Sequence, residues 1–321
     1  MFESFFSGRK VMITGADGFM GSHLTERLLE LGAETAVLIR PESAVGGYRL
    51  KNLAGLKGEI EIMVGDIGSS DVIRLIEESR SNVIFHLAAL AYVNYSFSHP
   101  FEVMRVNLNG TLCVLEAARR MEVDRVVVTS SSEVYGPALT PTIDEGHPMN
   151  PTSPYAASKA AADRCAHSYW RTFGLPVAII RPFNTYGPRH TYDVIPKFIE
   201  MVLRGEPPTI YGSGEQSRDF TYVTDMVEAF LHMGSGEKAV GEAVNFGSGK
   251  AVKIKDLTMK IIELADAPLD PVYLPERPAE VTRLCCNYGK ARRIFGWEPK
   301  VSLREGLKKN IEWFREAYSL A

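Results

Sequence analysis

Short apolar runs rich in β-branched residues recur along the first half of the chain, and most are separated by segments with helical periodicity. The runs are KVMITG, ETAVLIR, EIEIMVG, NVIFHLAA, DRVVVTS and PVAIIRPF. Strands that alternate with helices pair in parallel, because each crossover helix returns the chain to the same edge of the sheet. The pattern predicts an α/β fold with a doubly wound parallel sheet.

The first predicted helix has an apolar stripe. Met20, Leu24, Leu28 and Leu31 recur at three- and four-residue steps, and Gly32 follows as a C-terminal cap. Near the end of the chain, SLREGLKKNIEWFREA has a similar stripe, which is typical of a helix packed on a core. Beyond about residue 182 the pattern is interrupted by long turn-rich stretches. Loops of this length usually carry functional residues or form part of a smaller lobe.

Composition excludes several classes of protein. The chain has 321 residues, 45% of them apolar, with 36 basic and 39 acidic side chains and a net charge of -3. This balance provides no broad surface for nucleic acid or an anionic membrane. The 4 cysteines lack metal-ligand spacing, and Cys285 is adjacent to Cys286. We therefore expect no metal site and a reducing, cytoplasmic location, without a signal peptide or membrane span.

A glycine-rich stretch, VMITGADGFMGSHL, joins the first strand to the first helix. Gly15, Gly18 and Gly21 allow a tight turn and a close backbone approach to a pyrophosphate at the helix N-terminus. The spacing differs from the usual dinucleotide fingerprint, so a turn that merely packs the helix on the sheet remains the alternative. In its sequence context the motif predicts a dinucleotide site.

Two charged residues predict details of that site. Arg40 follows the second strand, where an acidic residue normally holds the adenosine ribose. A guanidinium suits a 2′-phosphate better, which favours NADP over NAD, although Arg40 as an ordinary surface arginine stays an alternative. Asp66, after the third strand, is positioned to bond the adenine amino group or else to be an exposed loop aspartate.

Tyr155 and Lys159 lie one helical turn apart in SPYAASKAAADR, so their side chains share a helix face. A tyrosine that acts as a base near neutrality needs its pKa lowered by about three units from ~10, or roughly 4 kcal/mol of phenolate stabilisation. A neighbouring ammonium and a positive nicotinamide ring supply such stabilisation. The pair is therefore a candidate acid–base device.

The motifs together resemble the extended short-chain dehydrogenases/reductases that act on nucleotide sugars. The resemblance is carried, in order, by TGADGFMGSHL, GDI, FHLAA, NLNGTLCVLEAAR, SSSEVYG, YAASK, RPFNTYGPR, RDFTYVTD and RPAEVTR. It implies a Rossmann-type dinucleotide domain over residues 1–182 and a smaller, interleaved C-terminal α/β lobe over 183–321 that binds the nucleotide sugar, with segments around 220–248 returning to the first domain. It also implies a homodimer formed by helices near 98–120 and 152–173.

The resemblance also implies ligand contacts. Further cofactor contacts, beside the glycines, Arg40, Asp66, Tyr155 and Lys159, fall on Phe19, Met20, Ile67, Leu87, Ala88 and Ala89. Substrate contacts fall on Ser131, at the C4 hydroxyl of the sugar, and on Asn184, Arg189, Arg218 and Arg277. An ion pair with Asp219 is the alternative for Arg218. His86 is expected to be a packed residue near the cofactor and not a base.

The stretch TSSSEVYG carries the most specific prediction. If the preceding strand keeps its alternation, Ser131 and Glu133 face the same way, toward the ligand edge of the sheet. The resemblance places a glutamate here in 4,6-dehydratases, where a C4 ketone acidifies the C5 hydrogen and a carboxylate removes it as the C6 hydroxyl leaves. A loop cap or a pair with a nearby cation is the alternative for Glu133.

Ser132 departs from the dTDP-glucose dehydratase pattern, which has an aspartate that protonates the leaving hydroxyl. The Ser-Glu pair is more similar to dehydratases of GDP-linked sugars and to UDP-glucuronate decarboxylases. Glu133 would then handle both protons, or a water relayed by Ser132 would deliver the acid. The sequence predicts a nucleotide-sugar 4,6-dehydratase, with a UDP-glucuronate decarboxylase, a C4-epimerase or a non-catalytic dinucleotide sensor as alternatives.

Overall fold

All six apolar runs form strands, as predicted. The structure is a computed structural model and describes residues 2–41, 50–276 and 281–318. The strands of the described chain are β1 Lys10–Thr14, β2 Glu34–Ile39, β3 Ile60–Val64, β4 Val83–His86, β5 Arg125–Thr129, β6 Val177–Pro182, β7 Asn184–Tyr186, β8 Thr209–Tyr211, β9 Ser217–Tyr222, β10 Ala243–Phe246, β11 Ala251–Lys253 and β12 Val272–Leu274.

Helices separate most of the strands. In the same described ranges they are α1 Phe2–Phe6, α2 Phe19–Glu30, α3 Val72–Glu78, α4 Val93–Ser98, α5 Pro100–Met104, α6 Gly110–Met121, α7 Pro154–Phe173, α8 Val194–Leu203, α9 Val223–Ser235, α10 Ile254–Ala265, α11 Gly289–Phe295 and α12 Leu303–Tyr318. Between α5 and α6 the turn Arg105–Asn109 is π-helical. Such π-helical turns are rare in proteins, and many of those that occur lie at functional sites.

The large sheet has seven strands in the order β10-β6-β5-β4-β1-β2-β3. The pairs β1–β2, β2–β3, β1–β4, β4–β5 and β5–β6 are parallel. The order reverses at β1, whose neighbours are β2 and β4. In an open parallel sheet this switch point leaves a crevice at the carboxyl ends of the strands, where ligands bind. The predicted doubly wound α/β fold is confirmed.

Both faces of this sheet are covered. On one face, Met12, Ile84 and Val126 are fully buried in a core that includes Val114 and Leu115 of α6. On the other face, Phe85 of β4 packs against Phe6 and Phe230 at ring distances of 6.1 and 6.4 Å. Strands buried on both faces read as continuous apolar runs, which explains why the sequence pattern was clear.

Helix α2 shows how local sequence sets an element boundary. Leu24 and Leu28 are fully buried, as the apolar stripe predicts. The helix ends before Leu31, and Gly32 adopts φ of +76°, a left-handed conformation that favours glycine. The Ala33 amide then bonds the Leu28 carbonyl, which satisfies one of the last carbonyls of the helix.

The chain divides into two units. The first unit comprises Met1–Val134, Pro151–Arg181 and Val227–Val244, and the second unit comprises Tyr135–Asn150, Pro182–Met226 and Asn245–Ala321. The sequence division placed 135–150 with the first domain, whereas this loop lies in the second unit. Its backbone explains this placement, because Ile143 pairs with Cys286 as an isolated bridge.

The second unit has two small sheets of its own. Strand β9 lies between β11, which is antiparallel to it, and β7, which is parallel. Strands β8 and β12 form a parallel pair. Helix α12 buries Leu307, Ile311 and Phe314 on one face, as its apolar stripe predicts. Regular helices such as α8, α10 and α12 thus occur between the long turn-rich stretches of this half of the sequence.

Candidate active site

The glycine-rich turn after β1 is shaped by close backbone contacts. Gly15 has φ of +72°, and a Cβ on it would lie 2.7 Å from the Ala88 amide nitrogen. A Cβ on Gly21 would lie 2.2 Å from the Gly15 carbonyl oxygen. Only glycine fits at either position. The predicted loop residues Leu87 and Ala88 therefore lie directly against the turn, at the switch point between β1 and β4, and Ala89 follows them in the chain.

Gly18 differs from the other two glycines. A Cβ there would meet, within the described chain, only the Gly15 carbonyl oxygen at 3.1 Å, so the space in front of it is open. Gly18 is also the N-cap of α2, without a side-chain cap. The backbone N–H groups of the first helical turn, which contains Phe19, Met20 and Gly21, point outward and suit a pyrophosphate. The turn fits a dinucleotide.

Asp17, inside the same turn, holds a neighbouring segment in place. Its carboxylate accepts the backbone N–H groups of Lys51, Asn52 and Leu53 at 3.2, 2.9 and 3.2 Å. The Asn52 side chain donates back to the Asp17 carbonyl at 2.7 Å. The turn is thereby ordered before any ligand binds. Its sequence signal was weak, because an aspartate between glycines is common in loops.

The His86 side chain, at the end of β4, links this strand to β1 at the switch point. Thr14 Oγ1 lies 2.8 Å from His86 Nδ1 and accepts the Ala88 amide at 3.2 Å. Thr111 donates to the Asn107 carbonyl, so its oxygen can only accept from His86 Nε2, at 3.0 Å. Burial, with the charge of Lys159, lowers the pKa of His86 to about 3. His86 is a packed residue, as expected, and its position near the cofactor stays a prediction.

Charged side chains meet at the carboxyl ends of β2 and β3. We call Arg40, Asp66, Gly68 and Arg105 the Asp66 cluster. The Asp66 carboxylate accepts the Gly68 amide at 2.9 Å and Arg105 Nη1 at 2.6 Å. Burial would raise the pKa of Asp66, but these two bonds and the charges of Arg105 and Arg40 lower it overall. The Asp66 carboxylate is therefore held by neighbouring residues and is not an isolated loop aspartate. Ile67, the next residue, is buried.

Helix α7 presents the predicted acid–base pair. Ser153 caps the helix by accepting the Ala156 amide at 3.1 Å, and Pro154 occupies the first turn. Tyr155 is therefore in the first turn, where the helix dipole favours a negative charge. Tyr155 and Lys159 are 8% and 5% exposed, on one buried face of the helix.

The Lys159 ammonium donates to the Thr129 carbonyl oxygen at the end of β5. We call Lys159, His86, Asp163 and Arg181 the Lys159 cluster. Burial lowers the pKa of Lys159 to about 8, and the Asp163 carboxylate opposes this shift. An ammonium that is desolvated yet still charged near neutrality suits the stabilisation of a phenolate. Helix α7 and the end of β5 are thus joined at this lysine.

Asp163 and Arg181 form a buried ion pair behind Lys159. The guanidinium contacts both carboxylate oxygens, at 2.8 and 3.0 Å, and both residues are 2% exposed or less. Burial would raise the pKa of Asp163, but hydrogen bonds and charges from Arg181 and Arg164 lower it overall. The pair was missed in the sequence, because the two residues are on α7 and β6 and share no motif.

The arrangement of Ser131 and Glu133 differs from the prediction. Strand β5 ends at Thr129, and Ser132–Tyr135 forms a 3-10 turn, so strand alternation cannot orient Glu133. The reason is local: Ser131 Oγ accepts the Glu133 backbone N–H at 3.2 Å, and such side-chain bonds compete with strand pairing. Ser131 and Ser132 are buried and Glu133 is partly exposed. Their catalytic roles stay predictions.

Two hydroxyl groups beside this turn are suited to a ligand. Thr129 Oγ1 and Ser130 Oγ are buried, and neither has a hydrogen-bond partner within residues 2–41, 50–276 and 281–318. Buried hydroxyls without partners are uncommon, and each requires an explanation such as a missing ligand or water. Thr129 also supplies the carbonyl that binds Lys159, and Ser130 directly precedes the Ser131 turn, so both hydroxyls belong to the strand end that faces the candidate site in sequence.

Asn107, the first residue of the motif NLNGTLCVLEAAR, lies in the π-helical turn. Its side chain accepts the Leu90 amide at 2.8 Å and donates to the Leu90 carbonyl at 3.1 Å and to Ser158 Oγ at 2.9 Å. Ser158 in turn donates to the Tyr155 carbonyl at 2.7 Å. Asn107 therefore links the loop after β4 to the helix that carries Tyr155 and Lys159.

Three of the predicted substrate contacts, Asn184, Arg189 and Arg218, lie in the second unit, whereas Ser131 lies in the first. Asn184 begins β7, and its buried Oδ1 accepts no hydrogen bond from the described residues, which suits a ligand donor. Arg189 follows with φ of +72°, a strained conformation for a non-glycine residue. Arg218, on the neighbouring strand β9, donates to the Ser217 and Val281 carbonyls at 3.0 and 2.7 Å. Arg277 lies outside the described residues.

Asp219 does not form the ion pair considered for Arg218. It is fully buried and accepts the Ser248 amide and hydroxyl, both at 2.6 Å, and the Gly249 and Cys286 amides at 2.8 and 2.9 Å. Burial raises the pKa of Asp219, and these bonds oppose that shift. Asp219 is a structural clamp that fixes β9, and thereby the backbone of Arg218.

A protein-family model described as GDP-mannose 4,6 dehydratase matches residues 12–310 of the chain. The human dTDP-D-glucose 4,6-dehydratase is 36% identical over 322 residues, which cover 97% of this chain and 91% of that protein. The UDP-glucose 4-epimerase of Mycolicibacterium smegmatis is 37% identical and is covered to 98%, with 95% of this chain aligned.

Solved structures agree with these relatives. The dTDP-glucose 4,6-dehydratase DesIV of Streptomyces venezuelae, solved with NAD bound, superposes with a TM-score of 0.89 at 31% identity. The alignment covers 97% of this chain and 98% of that structure.

In the described ranges no helix is both long and apolar enough to cross a membrane. The matched span, the Rossmann-type sheet and the Tyr155–Lys159 helix agree with one another. The resemblance seen in the motifs is therefore confirmed: the chain belongs to the GDP-mannose 4,6-dehydratase family of NAD-dependent nucleotide-sugar 4,6-dehydratases and epimerases, within the extended short-chain dehydrogenases/reductases.

Proposed function

We propose that this protein is a nucleotide-sugar 4,6-dehydratase. The observation that carries the proposal is the bond from Lys159 to the Thr129 carbonyl, because it fixes the Tyr155 helix at the strand end that is followed by Ser131, Ser132 and Glu133. A tyrosine base, an orienting hydroxyl and a carboxylate thus belong to one strand end of one unit. A 4,6-dehydratase requires that set of groups, whereas an epimerase does not use the carboxylate.

The first half-reaction oxidises the C4 hydroxyl of the hexose. Tyr155, as phenolate, accepts the hydroxyl proton, and Lys159 and the first turn of α7 stabilise its negative charge. Ser131 holds the C4 oxygen in place. Gly15, Gly18 and Gly21 would hold the pyrophosphate of a dinucleotide, whose oxidised nicotinamide would supply the hydride chemistry between C4 and C6.

The second half-reaction eliminates water across C5 and C6. The C4 ketone acidifies the C5 hydrogen, and the Glu133 carboxylate removes it as a proton. The C6 hydroxyl leaves as water after it is protonated, either by Glu133 itself or by a water held by Ser132. When hydride returns to C6, Glu133 or solvent donates a proton to C5 and Tyr155 releases to solvent the proton that it took from the C4 hydroxyl, so the product is the 4-keto-6-deoxy sugar.

The test is product mass. The purified protein is incubated with GDP-, UDP- and dTDP-linked hexoses and with UDP-glucuronate, because the relatives carry different nucleotides. Loss of water supports the proposal. Loss of carbon dioxide would make the protein a decarboxylase, and silence across the whole panel would favour a dinucleotide sensor.

A C4-epimerase is the second candidate, since a UDP-glucose 4-epimerase is 37% identical to this chain. Unchanged mass with a changed sugar would identify it. Glu133→Gln separates the two functions at the residue level: water loss stops in a dehydratase, while reduction of the bound cofactor stays detectable. Glu34→Gln, an exposed change at the start of β2, is the control. Equal loss of both steps would contradict a role for Glu133 at C5.

We also infer that the cofactor is NADP. Arg40 is exposed at the end of β2, close enough to Asp66 to lower the pKa of that carboxyl, which supports a binding site for an additional phosphate. Comparing the retention of NADP and NAD by the purified protein and by Arg40→Ala tests this. Clear preference of the unchanged protein for NAD would overturn it.

The family resemblance supports two further parts of the proposal, a homodimer and a cytoplasmic location. The 4 cysteines are free thiols, which agrees with a reducing compartment. Sedimentation of the purified protein measures the oligomeric state, and a monomer at micromolar concentration would contradict the dimer.

A further inference from the structure

Arg105 lies against Gly68, which directly follows the motif GDI. A Cβ on Gly68 would lie 2.4 Å from Arg105 Nη1 and 3.1 Å from its Cζ. The guanidinium therefore crosses the Gly68 backbone in contact with it, and from there reaches Asp66 at 2.6 Å. The two residues of this ion pair are 39 positions apart, on different elements.

The same carboxylate is held from its other side. Gly68 donates its backbone N–H to Asp66 Oδ1, while Arg105 binds Oδ2. A carboxylate has about four lone-pair sites, so two bonds leave acceptor capacity on both oxygens. Because Asp66 and Arg105 have side chains 40% and 43% exposed, the remaining sites face a ligand that comes from solvent. The carboxylate is oriented before that ligand binds.

We propose that Arg105 is a positioning residue for adenine recognition, which holds the Asp66 carboxylate so that it accepts the amino group of the cofactor's adenine. The proposal rests on the proposed dinucleotide site. Arg105 does not touch the adenine in this scheme, and it acts through the orientation and the ionised state of Asp66. Preorganisation of an acceptor improves affinity by removing the ordering that binding would otherwise require.

The test is cofactor affinity, measured by titration of the cofactor-free protein with NAD, NADP and nicotinamide hypoxanthine dinucleotide. The hypoxanthine analogue has an oxygen where adenine has its amino group. Arg105→Ala should weaken binding of the adenine cofactors about tenfold, the effect of one oriented charge-assisted bond. For the hypoxanthine analogue the loss should be less than about twofold, because the donor that Asp66 recognises is absent.

Gly68→Ala gives an independent readout. Its added Cβ collides with the far end of Arg105, which can swing away without disturbing the backbone, and Gly68 does not have positive φ. Gly68→Ala should therefore weaken binding about as much as Arg105→Ala while the arginine charge is retained. In the Arg105→Ala background, Gly68→Ala should have almost no further effect. Independent, additive losses would overturn the inference.

Arg9→Ala is the matched control. Arg9 pairs with Asp124 with side chains 38% and 54% exposed, at the amino ends of the same sheet. It should leave cofactor affinity unchanged. Tighter binding by Arg105→Ala would mean that the arginine competes with adenine, and equal losses for the adenine and hypoxanthine cofactors would mean that it attracts the phosphates directly; either result overturns the inference. If the unchanged protein binds no dinucleotide at all, the proposed function fails instead.

Discussion

Two charged clusters of the first unit differ in how far their side chains are exposed to solvent. In the Lys159 cluster, Lys159, Asp163 and Arg181 are 5%, 0% and 2% exposed. In the Asp66 cluster, the paired side chains of Asp66 and Arg105 are 40% and 43% exposed. A charge removed from water interacts strongly with its neighbours and shifts their pKa values, whereas an exposed pair is screened. The first cluster can set the chemistry of Tyr155, and the second can only adjust binding.

The largest difference between the buried and the exposed charges should appear in the free energy of unfolding. Asp163→Asn leaves the buried Arg181 charge without its partner, which typically destabilises a protein by about 3–5 kcal/mol. Urea unfolding of the variant and the unchanged protein measures this. Asp124→Asn, in an exposed pair, is the control and should change stability by less than about 0.5 kcal/mol.

A double variant sharpens that result. Replacing both partners, Asp163→Leu with Arg181→Met, removes the uncompensated charge and should recover most of the loss, because two apolar side chains of similar volume tolerate the same site. If Asp163→Asn alone were to change stability by less than about 1 kcal/mol, the pair would be solvated in solution, and the contrast between the two clusters would fail.

The second effect is acid sensitivity at His86. The pKa of His86 is lowered to about 3 in the folded protein, below its ordinary value of 6.5, so on acidification the unfolded chain takes up the proton first. Stability from this residue is complete above pH 6.5 and is lost as the pH falls toward 3. At about pH 4.5 the loss should be roughly 3 kcal/mol, since each unit corresponds to about 1.4 kcal/mol.

The matched variant is His86→Gln, which keeps a donor and an acceptor for Thr14 and Thr111 but does not titrate. Unfolding measured from pH 7 to pH 4.5 should decline less steeply for His86→Gln than for the unchanged protein. Parallel curves would show that the pKa of His86 in the folded state is close to its ordinary value, contrary to its burial and its hydrogen bonds.

How much of the fold and of the candidate site could be predicted from the sequence depends on how far apart in the chain the contacting residues lie. The strands were predicted because burial on both faces makes continuous apolar runs, and the cofactor turn because Gly15, Gly18 and Gly21 are close neighbours in the chain. The Tyr155–Lys159 pair was predicted because its four-residue spacing is a property of the helix itself. In each case the signal is contained in one short segment.

The rest depends on contacts between distant segments. Asp163 and Arg181 meet across 18 residues, and Asp66 and Arg105 across 39, without a local pattern that requires either pair. The strand alternation assumed for Ser131 and Glu133 fails for a different reason, and the direction in which the two side chains face stays a prediction. The strand pattern was extended past Thr129, but the Ser131 hydroxyl bonds a backbone amide and starts a 3-10 turn instead. Serine side chains end strands in ways that apolar periodicity does not record.

The third effect is the pH dependence of the first half-reaction. The pKa of Lys159 is lowered to about 8, so its ammonium is present below that pH and is lost above it. Because the charge supports the Tyr155 phenolate, reduction of the bound cofactor should slow about tenfold per pH unit above about 8. Lys159→Arg keeps a charge throughout this range. Its absolute rate should be lower, but its profile should stay flat, and a decline at the same pH in that variant would exclude Lys159 as the titrating group.

The smallest expected effect is on the stability of the Asp66 cluster. Arg105→Ala removes an exposed ion pair, and exposed pairs contribute about 0–1 kcal/mol, so its unfolding in urea should match that of Arg9→Ala within that range. A cofactor-binding loss in Arg105→Ala would then occur in a fully folded protein. If the variant instead lost more than about 2 kcal/mol, Arg105 would be part of the fold, and its binding defect would have two explanations. Gly68→Ala would still separate them, because it displaces the guanidinium from Asp66 and leaves every side chain of the original sequence in place.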